Sequence, residues 1–295
     1  MNNEQFEQVR NDRGFLAALD QSGGSTPKAL ERYGIDDDEY ADDDEMFALM
    51  HAMRSRIIQS PSFCSEDIIG AILFEDTMDR DIDGRGSVSY LWDVKHVVPF
   101  LKVDKGLTPE QNGVQVMNPI PGLAPLLTRA RENGVFGTKM RSFITQADSV
   151  GIRAVVDQQF QIANDIMAAG LVPIIEPEID IRSPEKAPAE ELLKANVLEQ
   201  LDRLSSKQLV MLKFSLPDVA DFYADLVADP KVVRVVALSG GYDRTEADAR
   251  LRANHGVIAS FSRALTEGLS IHQSKEEFDA TLKSAIESIA AASLT

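Results

Sequence analysis

Glu176 and Glu178 close the apolar run Leu171-Val172-Pro173-Ile174-Ile175. Side chains alternate along a strand, so two acids two residues apart share one face. Two carboxylates at the mouth of an apolar core are costly unless cations or proton transfer use them. The same device recurs. Asp20 follows Phe15-Leu16-Ala17-Ala18-Leu19, Lys102 follows Val98-Pro99-Phe100-Leu101, Lys139 and Arg141 follow Val135-Phe136-Gly137-Thr138, and Lys213 follows Leu209-Val210-Met211-Leu212. Strand ends that deliver acids and lysines repeatedly imply one converging site. A lysine there can neutralise an acid, bind phosphate or attack a carbonyl carbon. Around Lys213 the neighbours Met211, Leu212 and Phe214 would solvate an ammonium poorly, which favours the free amine that a Schiff base needs. Lys139 and Arg141 share a face, and their repulsion would favour a neutral lysine as well. The residues alone leave two candidate nucleophiles.

These charges need a frame that brings strand ends together. Apolar runs read as strands near residues 14–20, 68–74, 97–103, 135–141, 171–176, 208–214, 232–238 and 257–261, with amphipathic stretches such as 149–169 and 277–292 between and after them. Alternating strand and helix imply parallel strands, and eight such units predict an α/β fold, a (β/α)8 TIM barrel formed as a single domain by residues 1–295. The alternative, an open doubly wound sheet, would want a Gly-x-Gly-x-x-Gly turn after its first strand, where this chain has Asp20-Gln21-Ser22-Gly23-Gly24-Ser25. In a barrel the C-terminal strand ends face the active site, which gathers Asp20, Lys102, Lys139, Arg141, Glu176, Glu178 and Lys213. The seventh strand closes in Ser239-Gly240-Gly241 and the eighth in Ser260-Phe261-Ser262-Arg263. Glycines let backbone N–H groups approach a ligand, and loops in these positions often hold phosphate, so a phosphorylated substrate is expected.

The chain of 295 residues has 47 acidic and 30 basic residues, a formal charge of −17. That balance argues against nucleic acid and against anionic membranes as partners. Much of the excess is local: Asp36-Asp37-Asp38-Glu39 and Asp42-Asp43-Asp44-Glu45 precede an apolar-periodic segment, where acids suit a helix N-terminus. The N-terminal residues have no signal-peptide pattern and no apolar run is long enough to span a membrane, so the expected location is the cytoplasm. The lone Cys64 excludes an internal disulfide, and His51, His96, His255 and His272 fall in helix-like stretches or before strands, away from the strand ends where a catalytic metal would want them. No metal site is expected. A barrel's outer helices are compatible with a monomer or a homo-oligomer.

Ala18-Leu19-Asp20-Gln21-Ser22, Leu101-Lys102-Val103-Asp104-Lys105-Gly106, Gly137-Thr138-Lys139-Met140-Arg141, Pro173-Ile174-Ile175-Glu176-Pro177-Glu178 and Leu238-Ser239-Gly240-Gly241 resemble, in order, the signature segments of class I fructose-1,6-bisphosphate aldolases, and most closely the shorter bacterial branch. The resemblance implies a reversible, cofactor-free and metal-free cleavage of fructose 1,6-bisphosphate to dihydroxyacetone phosphate and glyceraldehyde 3-phosphate, in glycolysis and gluconeogenesis. It implies Lys213 as the Schiff-base lysine, Glu176 as acid/base, Glu178 and Arg141 as its charge partners, Asp20 as the base at the C4 hydroxyl and Lys139 as the tuning cation. It also implies a 1-phosphate pocket of Ser239, Gly240, Gly241, Ser260 and Arg263, and a 6-phosphate group of Lys102 with Ser22 and Ser25. Ser22 and Ser25 can equally be read as helix caps before Thr26-Pro27-Lys28. The chain departs from the long-chain relatives in having no tyrosine after Tyr242, which leaves the enamine protonation without an assigned group. It also has Phe261 and Ser262 where the animal enzymes have Tyr and Gly, and Met140 where they have Trp, changes that bear on the choice between bisphosphate and 1-phosphate. The competing functions are another Schiff-base aldolase or transaldolase, and a non-catalytic sugar-phosphate sensor.

Overall fold

The computed structural model describes residues 2–295. Eight strands, β1 (Phe15–Leu19), β2 (Ile68–Leu73), β3 (Val98–Lys102), β4 (Gly137–Ile144), β5 (Val172–Ile179), β6 (Val210–Ser215), β7 (Val232–Leu238) and β8 (Val257–Ala259), pair in chain order, every pair parallel. Helices alternate with them, and the sheet is curled until the two edge strands meet, where the Ala18 N–H donates to the Phe261 carbonyl at 3.1 Å. This is the TIM barrel that the strand spacing implies.

The inside of the barrel explains why the charged residues converge. Leu16, Ala18, Ile72, Val98, Phe100, Val172, Ile174, Met211, Val236 and Ile258 form one packed interior cluster. With a period of two, the next inward positions after Ala18, Phe100, Ile174 and Met211 are Asp20, Lys102, Glu176 and Lys213. Apolar layers therefore fill the barrel up to its C-terminal face, and the polar residues cap the stack. Phe100 needs room that only glycines leave: a methyl group at Gly70 or Gly137 would lie 2.9 or 3.0 Å from its ring. At the other end the helix α1 (Asn3–Asn11) plugs the barrel with Val9, whose carbonyl accepts from Arg234 Nε at 3.0 Å.

Two strands are longer than the hydrophobic runs indicate. β4 and β5 stay paired through Phe143↔Glu178 and Ile144↔Ile179, and residues 114–115 add an antiparallel pair on β4. Backbone groups past the apolar run are thus still paired, and Glu178 lies within β5 instead of beyond it. β8 is shorter than its apolar run, because Ser260 and Phe261 make single backbone bonds to Ala237 and Ala18 in place of a ladder. The acidic run does start a helix: Asp42 caps α2 (Asp43–Gln59), accepting the Glu45 N–H at 3.0 Å. No helix among the described residues is long and apolar enough to cross a membrane.

Candidate active site

Four charged side chains meet at the C-terminal mouth. Lys139 Nζ lies 2.7 Å from Asp20 Oδ2 and 2.9 Å from Glu176 Oε2, while Glu176 Oε1 lies 2.9 Å from Lys213 Nζ. Each of the four residues is at most 8% exposed. The sequence order along the mouth is therefore an alternation of charge, Asp20, Lys139, Glu176, Lys213. Burial by itself would push both carboxyls up, but the neighbouring ammonium groups outweigh it. Asp20 is held at about 2 by Lys139, Lys213 and Lys102, and Glu176 is lowered by Lys139 and Lys213.

Lys139 corrects an expectation. Its sequence neighbour Arg141 argues for a neutral form, yet its ammonium is stabilised well above the usual lysine range, because Asp20 and Glu176 overcome the burial that opposes it. Arg141 does not face it as a bare charge: its Nε donates to Glu178, and its guanidinium lies 4.9 Å from the centre of the Phe143 ring. The two-carboxylate cradle makes Lys139 a fixed cation.

Around this core the remaining candidates divide into two groups. Lys102 Nζ donates to Ser22 Oγ at 2.5 Å and pairs with Asp104 at 3.2 Å, which places Ser22 and Lys102 together beside Asp20. Ser25 is engaged within its own turn, its hydroxyl donating to the Ser22 carbonyl at 2.9 Å and accepting the Ser22 N–H at 3.0 Å. On the other side Gly240 and Gly241 adopt φ of +62° and +125° after Ser239. A methyl group at 241 would sit 3.3 Å from an Arg263 guanidinium nitrogen, so the arginine lies directly over this turn. Gly241 and Arg263 line a cavity of about 370 Å³ together with Arg32 and Tyr242. Ser260 Oγ is buried and has no hydrogen-bond partner among the described residues. Glycine N–H groups, a hydroxyl and a guanidinium suit a phosphate. A second cavity, about 320 Å³, lies at the opposite end between Gln5, Trp92, Arg131 and Phe136. Among the described residues no group of three or more His, Cys, Asp and Glu is placed to hold a metal ion.

Some contributors escape a reading of strand ends. Asp104 is buried and accepts the Arg141 backbone N–H at 3.2 Å besides pairing with Lys102. Its signal was present, since it continues the period of two beyond Lys102. Gln159, on the helix α3 (Ser149–Ala168), is fully buried, accepts the Glu176 N–H at 2.9 Å and donates to Ser142 at 3.0 Å. It fixes the backbone of Glu176 from outside the barrel, and nothing in its local sequence marks it.

A (β/α)8 barrel whose mouth buries alternating lysines and carboxylates beside a cavity lined by Gly241 and Arg263 is of the class equipped with the groups that amine chemistry at a carbonyl carbon requires. Residues 4–216 match the family model for fructose-bisphosphate aldolase class-I. A relative named fructose-bisphosphate aldolase class 1 from Clostridium acetobutylicum is 57% identical over 295 residues, covering all of both chains. Another of the same name from Synechocystis is 56% identical over 294 residues, covering 100% of this chain and 98% of that one. The chain belongs to the class I fructose-bisphosphate aldolase family. A solved structure of fructose-bisphosphate aldolase from Plasmodium falciparum, in complex with TRAP and a small-molecule inhibitor, shares the fold at 20% identity, with a TM-score of 0.79 over 98% of this chain and 93% of that one.

Proposed function

We propose that the chain, as one catalytic unit over residues 1–295, cleaves fructose 1,6-bisphosphate reversibly to dihydroxyacetone phosphate and glyceraldehyde 3-phosphate through a Schiff base on Lys213. The observation that carries the assignment of roles is the unequal sharing of carboxylates: Lys139 has two within 2.9 Å, Lys213 has Glu176. An ammonium held by two anions is a poor source of free amine, so Lys213 is the nucleophile and Lys139 the permanent cation. Lys213 passes a proton toward Glu176 and its nitrogen lone pair attacks the C2 carbonyl carbon. Glu176 then supplies the proton that lets the carbinolamine hydroxyl leave as water, giving the protonated imine.

Asp20 removes the proton of the C4 hydroxyl. The C4–O electrons form the aldehyde carbonyl as the C3–C4 bond breaks, and the bond pair moves into the imine as an enamine. Lys139 keeps Asp20 ionised and ready to accept that proton. The two phosphates are anchored at opposite sides, the 1-phosphate at Ser239, Gly240, Gly241, Ser260 and Arg263, and the 6-phosphate at Lys102 and Ser22. Such two-point holding presents C2 to the amine and the C4 hydroxyl to the base in one orientation. The reaction is placed in the cytoplasm, in sugar-phosphate metabolism.

Borohydride reduction with dihydroxyacetone phosphate, followed by peptide mapping, tests the reading. The expected result is a stable adduct on Lys213, activity unchanged by EDTA, and loss of turnover by at least about a thousandfold in Lys213→Met. An adduct on Lys139, or turnover only with monophosphorylated sugars, would overturn it.

A further inference from the structure

Arg54 is 1% exposed, on α2 behind the mouth, and pairs with no carboxylate within ion-pair distance among the described residues. Burial lowers its guanidinium to about 10, with partial compensation from Asp20 and Asp76, so it is still cationic at neutral pH. Burying a charge this way is expensive, and an apolar residue of similar volume would serve packing better. The hydrogen bonds show what the charge is used for. Nη1 donates to the buried Thr77 Oγ1 at 2.8 Å, just past the end of β2. Nη2 donates to the backbone carbonyl of Gln21 and lies 3.4 Å from Gln21 Oε1. Gln21 Nε2 in turn donates to Ser262 Oγ at 2.7 Å.

This chain of contacts crosses the weakest seam of the barrel. β1 and β8 are the two edges of the sheet and share no ladder; the Ala18 to Phe261 bond is the backbone link between them among the described residues. At that seam Gln21 directly follows Asp20, and Ser262 directly precedes Arg263. We propose that Arg54 is a positioning residue which, acting through Gln21 and Ser262, clasps the β1 and β8 ends and fixes Asp20 in register with the phosphate loop that carries Arg263. The guanidinium is suited to the task because its planar fork can hold a backbone carbonyl, a side-chain amide and a hydroxyl at once. The proposal rests on Asp20 being the base at the C4 hydroxyl, as set out above.

Two reactions separate the clasp from general stability. Dihydroxyacetone phosphate has no C4 hydroxyl, so its reductive trapping on Lys213 and its C3 proton exchange with solvent do not call on Asp20, whereas cleavage of the bisphosphate does. In Gln21→Met the cleavage kcat is expected to fall about 10- to 100-fold, the range for a base displaced by about an ångström. Trapping and exchange should stay within about threefold. Gln21→Glu keeps an acceptor for both Arg54 and the Ser262 hydroxyl, and should recover at least about a third of wild-type cleavage. Arg54→Lys keeps the charge but not the fork, and should behave like Gln21→Met. Cleavage within twofold of wild type in Gln21→Met, or equal loss of cleavage, trapping and exchange, would overturn the clasp. A wild-type protein that neither cleaves the bisphosphate nor traps dihydroxyacetone phosphate would instead overturn the underlying function.

Discussion

Lys139 Nζ stands 2.7 Å from Asp20 Oδ2 with both side chains withdrawn from solvent. The pair keeps the general base ionised well into the acid range. Burial would raise the Asp20 carboxyl, and it is at about 2 only because Lys139, Lys213 and Lys102 surround it. In Lys139→Met the largest of those attractions is gone, so the carboxyl should titrate about one to three units higher. The acid limb of kcat/KM for bisphosphate cleavage is then expected to move toward neutrality by that amount, while at pH 7 Asp20 stays ionised. An acid limb that stays in place would remove Lys139 from its assigned role.

The same pair contributes to stability in a defined window. Asp20 titrates below its ordinary value of 3.8 in the folded chain, so its ionised form stabilises the fold fully above about pH 4, and the contribution is lost as pH falls toward 2. Its size is about 2 kcal/mol. Lys139 is shifted the other way: its contribution is complete below its ordinary value of 10.5 and is lost only above it. Urea unfolding of the wild type should therefore show this contribution constant between about pH 5 and 9, and Asp20→Asn should lose the part of the acid dependence that lies between pH 4 and 2. An unchanged acid dependence in Asp20→Asn would assign that slope to other carboxylates.

These residues show how much of the site is written in the sequence. Asp20, Lys102, Glu176 and Lys213 were legible because a barrel strand must be apolar inside, and a charge on that face can only emerge at its end. Asp104 obeyed the same rule one step further along. Lys139 lies at the mouth as its place on β4 implies, but its sequence surroundings alone point to the wrong charge preference, since the nearby charge along the chain is Arg141 and its neighbours in space are Asp20 just past β1 and Glu176 on β5. Gln159 and Arg54 act from outer helices, through contacts to residues 17 and 33 positions away in the chain. Helix periodicity marks such positions only as buried, and no local pattern distinguishes a buried guanidinium that holds a loop from a long side chain lying along the surface.

Lys102 should discriminate between substrates. It bonds Ser22 and Asp104 and does not line the cavity of Gly241 and Arg263. Losing one charge-assisted contact to phosphate costs roughly 1.5–3 kcal/mol, or about 10- to 100-fold in affinity. Lys102→Met is expected to raise KM for fructose 1,6-bisphosphate by that factor and to leave fructose 1-phosphate, which has no 6-phosphate, within about threefold. Steady-state kinetics on the two sugars decides it; equal losses would place Lys102 in the common chemistry and leave the 6-phosphate without its anchor.

Gly241 gives the complementary test. Its φ of +125° is a conformation that residues with a Cβ rarely adopt, and a methyl group there would press on the Arg263 guanidinium at 3.3 Å. Gly241→Ala must either shift the turn or displace the arginine, at about 1–3 kcal/mol. Because both outcomes disturb the 1-phosphate pocket and leave the Asp20, Lys139, Glu176 and Lys213 cluster in place, KM should rise about tenfold for the bisphosphate and for fructose 1-phosphate alike, with kcat within about threefold. The contrast with Lys102→Met then separates the two anchors by their effect on one sugar. A Gly241→Ala enzyme that loses only the bisphosphate would mean that the glycine turn and Arg263 hold the 6-phosphate, and that the substrate lies across the barrel mouth in the reverse direction.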